Sequence, residues 1–551
     1  MQLTNEQKII IKSALKGESF FVEASAGTAK TSTMFMYFRY AKQRLPDKKH
    51  LLLSFNTHLQ KEYIEKIREF NLDNIDVMTI HKLSKTYTLD RGVVMVGSTK
   101  VSTSSIRNIE PFIHGNDLIR YNTTNKKVSG WNLSNKLREF CSSDVDWDEL
   151  MQTLFINILK DNRCTHDMYM KLFRMSIKNG YIKVNYDTVI IDEVQDASQT
   201  LFNIFKDLPI KQKIGTGDIK QSIYMFLLKD FNMSNTQFYK NSSKLSLSKS
   251  FRCDNAITEK VTYWLFRGFM DDQETVYKGI NPDRSDTSVM HLTPTNNQVL
   301  LKAYSLARIG IKYKFQETWT NLTRDLKDIN FVLKHINAYS EEITKKGIKG
   351  VSNRIIKQAK AKDITIYGRD IQDYLIEDLL AFNTEYTNIP FIKFIEEFST
   401  STRTKSGMSL VSILKTKGLH LDKFLKVIKE NIDVKSNTII SNTHKVKGSE
   451  TGTVHLFKFK SPEIMSEETA DKIAKDLEIP TPSLIKDCLK LIEQNKNNKY
   501  ALEYRQNINL FYVAITRAKH TVIFDGCEGI SNMRWERITK DNPTGKAIAI
   551  H

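Results

Sequence analysis

The chain has 551 residues, more than one core of roughly 100 to 200 residues accommodates, and its 40% hydrophobic and 26% charged residues suit a globular protein rather than a disordered or fibrous one. Its 82 Lys and Arg against 63 Asp and Glu leave a formal charge of +19, a field that attracts polyanions and puts nucleic acid first among partners. The five cysteines lie far apart with no CxxC pairing, which argues against a zinc ribbon, an iron–sulfur cluster or a disulfide framework.

The polar start, Met1 to Gln7, lacks a signal-peptide pattern. The most apolar runs, Leu51–Leu53 and Val189–Ile191, are strand-sized and far below the roughly 20 residues that span a bilayer. A cytoplasmic protein without membrane contact is expected (host cytoplasm for a phage-borne gene). Strand-like runs alternate with helical patterns from Phe20 to Phe226 and again from Val289 to Phe524, the habit of α/β units with parallel sheets. Two such units are expected, each interrupted by a Lys- and Asn-rich, mainly helical insertion.

In chain order, the first chemistry-bearing segment follows a buried strand at Ser19–Glu23. Ala24-Ser25-Ala26-Gly27-Thr28-Ala29-Lys30-Thr31 then leads into a helix through Tyr40, which is a phosphate-loop arrangement. Small residues let backbone N–H groups converge on phosphates at a helix N-terminus, Lys30 reaches the β- and γ-phosphates, and the Thr31 hydroxyl holds Mg²⁺. Ala24 and Ala29 stand where the general pattern has Gly. An Ala at position 29 is expected to keep the loop out of φ > 0. The strand Thr188–Ile191 then presents Asp192-Glu193-Val194-Gln195-Asp196. Paired carboxylates there divide the labour: Asp192 holds Mg²⁺ through water, and Glu193 polarises the attacking water. An acidic helix N-cap is the plainer reading of such a pair, but a phosphate loop upstream disfavours it.

These and further segments resemble superfamily 1 helicases of the UvrD, PcrA and Rep group. Leu3-Thr4-Asn5-Glu6-Gln7 looks like the Q motif, in which Gln7 reads adenine. Ser54-Phe55-Asn56-Thr57 and Thr79-Ile80-His81 resemble motifs Ia and Ib, implying single-strand contacts by Phe55, Asn56, Thr79 and His81. Gly217-Asp218-Ile219-Lys220-Gln221-Ser222-Ile223-Tyr224-Met225-Phe226 is close to motif III, with Gln221 sensing the γ-phosphate and Tyr224 and Phe226 stacking on bases. Ser250-Phe251-Arg252 resembles motif IV, implying that Phe251 packs on adenine and Arg252 reaches the γ-phosphate. His444-Lys445-Val446-Lys447-Gly448-Ser449-Glu450 matches motif V, with Glu450 on the ribose and His444 on DNA. The family's Thr before that His is Asn442 here, beside Thr443, so which of the two touches the strand is open. Phe511-Tyr512-Val513-Ala514-Ile515-Thr516-Arg517-Ala518-Lys519 is very similar to motif VI, which makes Arg517 the arginine finger. Lys345 to Ser352 looks like the glycine hairpin that grips duplex phosphates, with close backbone approach at Gly347 and Gly350, although a plain helix connection fits equally well.

The resemblance implies an α/β fold of two RecA-like cores: 1–85 with 170–250, and 251–316 with 432–551, carrying accessory insertions at 86–169 and 317–431. It implies ATP and Mg²⁺ as cofactors, single-stranded DNA and single/double-strand junctions as partners, and movement 3′ to 5′ by cycles of closure. RNA as the track and replication or recombination proteins as partners are left open. Two other readings stand beside it: a translocase that strips proteins from DNA, and a catalytically weak nucleotide-dependent DNA-binding module. A nuclease fusion is disfavoured by the short stretch after Arg517.

Overall fold

The computed structural model describes residues 2–54, 57–88, 166–223, 231, 233–279, 284–323, 326, 410, 413–414 and 417–545. Most of 86–169 and 317–431 lies outside them, as do Phe55, Asn56, Tyr224, Phe226, Gly347 and Gly350. The chain forms two compact units. The first comprises Met1–Asn281, Met465–Tyr512 and Thr539–Thr544; the second comprises Pro282–Ile464, Val513–Ile538 and Gly545–His551.

The first unit holds six parallel strands: β1 (Phe20–Ala24), β2 (His50–Ser54), β3 (Ile75–Thr79), β4 (Thr188–Ile191), β5 (Gln212–Gly217) and β6 (Ser243–Leu247). Their order is β3-β2-β4-β5-β1-β6. Because successive side chains alternate between faces, apolar runs cover both sides of this sheet. Phe20, Val22, Leu52 and Ile190 enter one core cluster, while Phe21, Leu51, Leu53, Val189 and Ile191 enter the other. Helix α1 (Asn5–Leu15) starts at a capping box in which Thr4 and Gln7 exchange side-chain-to-backbone bonds. Helix α2 (Lys30–Arg44) follows β1, helix α3 (Thr57–Glu69) follows β2 and helix α4 (Ile80–Thr88) follows β3.

The second unit carries β7 (Val289–Thr293), β8 (Lys314–Phe315), β9 (Thr438–Asn442), β10 (Thr451–Phe457) and β11 (Ala518–Asp525), all parallel, in the order β11-β10-β7-β9-β8. The helix Leu421–Glu430 buries Leu421, Phe424, Leu425 and Ile428, an i, i+3, i+4, i+7 stripe, in the same core cluster as Ile440 of β9. It therefore serves this core, although the sequence reading counts it within the second insertion.

Two further stretches pack otherwise than the sequence reading has them. Residues 251–281 and Met465–Tyr512 belong to the first unit. Packing joins the two stretches to each other, Trp264 meeting Phe511 edge-on at 5.5 Å and Phe266 meeting Tyr512 at 5.3 Å, and Asn509 Nδ2, donating to Ser222 O at 2.9 Å, ties them to the first unit. Ser250 N–H also donates to Lys278 O at 2.7 Å beside the Lys249–Lys278 bridge, so this segment folds back next to β6. Among the described residues, no helix is long and apolar enough to cross a membrane.

Candidate nucleotide site

Parallel strands all end at one edge, and open α/β sheets bind ligands there. In the first unit that edge receives the phosphate loop after β1, Asp192 and Glu193 after β4, Gly217-Asp218 at the end of β5, and Ser250-Phe251-Arg252 after β6.

The phosphate loop is held by its backbone. Ser25 N–H donates to Leu247 O at 3.2 Å and Phe251 N–H to Gly27 O at 2.8 Å. Tyr277 Oη donates to Ala26 O at 2.9 Å, and Ala26 N–H donates to Tyr512 Oη at 2.9 Å. Gly27 lies at φ +70°, and a Cβ there would stand 2.6 Å from the Arg252 Cβ, so only glycine fits both the conformation and the space.

Ala29 corrects an expectation. It sits at φ 60°, ψ 39°, in the left-handed region, rather than outside φ > 0. That region is a small allowed well for residues with a Cβ, not a forbidden one. The turn is fixed from the helix side, since Thr33 N–H and Thr33 Oγ1 both donate to Ala29 O, at 2.9 and 2.8 Å. Glu193 occupies the same region at φ 53°, ψ 42°. Strained non-glycine residues thus occur at two of the segments that gather at this edge.

Asp192 is buried and accepts three hydrogen bonds. Its Oδ1 accepts from Thr216 Oγ1 and from Glu193 N–H at 2.9 Å, and its Oδ2 accepts from Tyr63 Oη. Burial, followed by the neighbouring Glu193 charge, raises the Asp192 pKa despite these donors. Burial and the Asp192 charge likewise raise that of the Tyr63 phenol. With three of about four acceptor positions used, Asp192 suits water-mediated rather than direct contact with a cation. Mg²⁺ keeps several waters and takes one or two carboxylates plus phosphates, so Asp192 with Thr31 at the start of α2 fits such an ion.

Glu193 is tied into a chain of hydrogen bonds. Gln195 Nε2 donates to Glu193 Oε2 at 2.6 Å, and Gln195 Oε1 accepts from Asp218 N–H at 3.1 Å. Asp218 Oδ2 accepts from Gln221 Nε2 at 2.7 Å and from Tyr512 Oη at 3.0 Å. Tyr512 returns to the phosphate loop through Ala26. The site edge therefore joins Glu193, Gln221 and the loop in one network.

The other sequence-derived residues fall as follows. Gln7 is buried: its Oε1 accepts from Thr4 N–H at 3.0 Å and its Nε2 donates to Thr33 Oγ1 at 3.0 Å. Phe251 and Arg252 are half-buried in the first unit beside Gly27, where the sequence reading has them in the second core. Thr79 is buried, its hydroxyl accepting from Lys82 N–H at 3.1 Å, and His81 is exposed, with Nδ1 3.2 Å from Tyr169 Oη. Within the second unit, Thr443 is buried and donates its hydroxyl to Thr293 O at 3.3 Å, while the Asn442 side chain accepts from Lys445 N–H at 3.2 Å. His444 is half-buried in the short turn that follows β9. Arg517 is buried, its guanidinium donating to Val513 O at 3.0 Å and Ser449 O at 3.3 Å, and Glu450 is exposed and paired with Lys519 at 3.4 Å.

Gln195, Asp218 and Tyr512 stand inside the sequence motifs with no role assigned from sequence, and Tyr63, Thr216 and Tyr277 stand outside them. Gln195 and Asp218 had a signal, since each lies inside a motif whose other members were assigned. The tyrosines had none, because their partners lie 129, 251 and 486 residues away in sequence.

The sequence profile of a family described as an AAA domain matches residues 7–227. The chain is 25% identical over 316 residues to F-box DNA helicase protein 1 of Schizosaccharomyces pombe, a match covering 51% of this chain and 34% of that protein. It thus spans about a third of the length of this curated relative. Among solved structures, Pif1 helicase from Candida albicans overlays with a TM-score of 0.27 at 16% identity, over 55% of this chain and 54% of that one. Two parallel sheets flanked by helices, with a phosphate loop after β1, make this an α/β fold of the P-loop NTPase kind with two RecA-like cores.

Proposed function

We propose that this chain is an ATP-hydrolysing DNA helicase of superfamily 1, of the UvrD, PcrA and Rep type, that moves 3′ to 5′ along single-stranded DNA. The observation that carries the reading is the hydrogen-bonded network joining Glu193, Gln221 and the phosphate loop at one sheet edge. A site of that design detects the terminal phosphate and positions a base for water in a single unit. The AAA-domain match over 7–227 covers these segments, and the curated relative is by name a DNA helicase. The charge of +19 supplies an electrostatic attraction to the phosphate backbone that is independent of sequence.

In this reading Lys30 and the loop amides bind the nucleotide phosphates, and Thr31 and Asp192 hold Mg²⁺. The Mg²⁺ nucleotide, when bound, supplies the scissile phosphoryl group. Glu193 orients and polarises water, held in line by Gln195. Gln221 senses the terminal phosphate. Gln7 and Phe251 are assigned to the adenine, Glu450 to the ribose, and Arg252 and Arg517 to charge on the transferring group. His81 and His444, with Thr79 and Thr443, are assigned to the DNA track; the Thr443 hydroxyl donates to Thr293 O and the Asn442 side chain is held by Lys445 N–H and Asn296, so neither is favoured over the other.

ATP hydrolysis with and without single-stranded DNA tests this in the parent, Lys30→Ala and Glu193→Gln. DNA-stimulated hydrolysis lost in both variants is expected; background hydrolysis in the parent with DNA binding intact leaves a nucleotide-dependent binding module instead. Arg517→Ala is a poorer probe, because it also strips the donor from two main-chain carbonyls. A strand-displacement assay separates a helicase from a translocase that strips proteins.

A further inference from the structure

The fully buried phenol of Tyr512 bridges two parts of the candidate site. Its hydroxyl accepts from the Ala26 amide at 2.9 Å and donates to Asp218 Oδ2 at 3.0 Å. A phenol in an apolar core needs only one partner. Here both of its capacities are used, and both partners are functional segments: a backbone amide of the kind that receives phosphate, and the carboxylate that also holds Gln221. Asp218 in turn offers its amide to Gln195, the residue bonded to Glu193. Burial, then the Asp218 charge, pushes the Tyr512 phenol well above its usual pKa, so the hydroxyl stays a donor at any working pH.

We propose that Tyr512 is a positioning residue of the ATPase: its hydroxyl ties the phosphate loop at Ala26 to Asp218, and through Asp218 sets the placement of Gln221 and Glu193. This rests on the ATPase reading above and adds to it a route by which the state of the loop reaches the hydrolytic carboxylate.

A merely structural tyrosine predicts something different. Losing the hydroxyl would then loosen the fold and weaken nucleotide binding and turnover together. In the relay, nucleotide binding is largely kept, because Ala26 O is still held by Tyr277 and Gly27 O by Phe251 N–H. Turnover falls, because Asp218 keeps the donors on its own turn, Lys220 N–H and Gln221 Nε2, but loses the one that ties it to the phosphate loop.

The test is steady-state ATPase kinetics, with single-stranded DNA, of the full-length parent, Lys30→Ala, Tyr512→Phe, Asp218→Asn and the Tyr512→Phe/Asp218→Asn double variant. Phe keeps the ring against Phe266. For Tyr512→Phe, kcat is expected to fall about tenfold or more while the KM for ATP stays within about threefold, the signature of a contact that matters after binding. The double variant is expected to be no worse than the weaker single variant by more than about twofold, since both substitutions cut the same link. A Tyr512→Phe kcat within about twofold of the parent overturns the relay, and so does a double variant whose loss is the product of the single losses. Should Tyr512→Phe fail to fold, Asp218→Asn carries the same expectation of lost kcat at near-constant KM. A parent whose hydrolysis is not abolished by Lys30→Ala overturns the ATPase reading itself, and the relay with it. A Lys30-dependent parent with an indifferent Tyr512→Phe overturns the relay alone.

Discussion

Replacing Ala29 by glycine should stabilise the protein, against the usual rule for a helix start. At φ 60°, ψ 39° the Cβ of Ala29 crowds the backbone, which costs about 1–2 kcal/mol relative to a right-handed residue. Glycine removes that cost but returns about 0.4–1 kcal/mol by loosening the unfolded chain. The balance is about 0–1.6 kcal/mol in favour of glycine. Ala29→Val, with a branched side chain in the same well, should move the other way by more than that. Thermal unfolding followed by far-UV circular dichroism reads both. The first unit is larger than an ordinary domain, so a gain of 1 kcal/mol raises its midpoint by only about 1–2 °C; a small rise of at most about 3 °C is expected for Ala29→Gly and a clear fall for Ala29→Val. In an ordinary helical conformation the same Ala→Gly change costs about 1 kcal/mol. A lowered midpoint for Ala29→Gly would therefore refute the left-handed turn and restore the expectation drawn from sequence.

Other consequences are equally open to measurement. A Cβ on Gly217 would lie 2.3 Å from Gln195 Oε1 and 3.1 Å from Val194 Cγ1, so Gly217→Ala should push Gln195 off Glu193, lower kcat and cost about 1–3 kcal/mol; parent-like turnover would sink the role given to Gln195. Tyr63→Phe removes a donor from buried Asp192 and should cost about 1–3 kcal/mol in denaturant titrations near neutral pH, where an unchanged midpoint would contradict the contact. His50 is wholly buried with neither ring nitrogen hydrogen-bonded, and burial lowers its pKa to about 4. Its folded value lies below its unfolded one, so the neutral ring supports the fold above pH ~6.5, and about 3 kcal/mol is lost as pH falls from there toward 4. His50→Leu should flatten that acid limb, and an unaltered stability–pH profile would show that His50 does not cause it.

The two parallel sheets were legible in the chain, because the alternation of strands and helices is a local pattern. The segments proposed for the chemistry are local as well: a strand, a run of small residues, Lys30-Thr31 and a helix follow one another, and Asp192-Glu193 follows an apolar strand. Three matters were decided only by the folded molecule. Backbone conformation at Ala29 depends on bonds from Thr33 and on how the loop leaves β1, so residue type alone pointed the wrong way. Membership of the compact units depends on contacts remote in sequence: Trp264 on Phe511 joins residues 251–281 to 465–512, and bonds such as Tyr277 to Ala26 and Asn509 to Ser222 tie both to the first unit. The network through Tyr63, Tyr277 and Tyr512 joins segments remote in sequence, and such pairs carry no spacing to read. Parallel strands bring their ends to one edge whatever the length of chain between them, so the sequence names the parts of this site while the sheet order decides which of them meet.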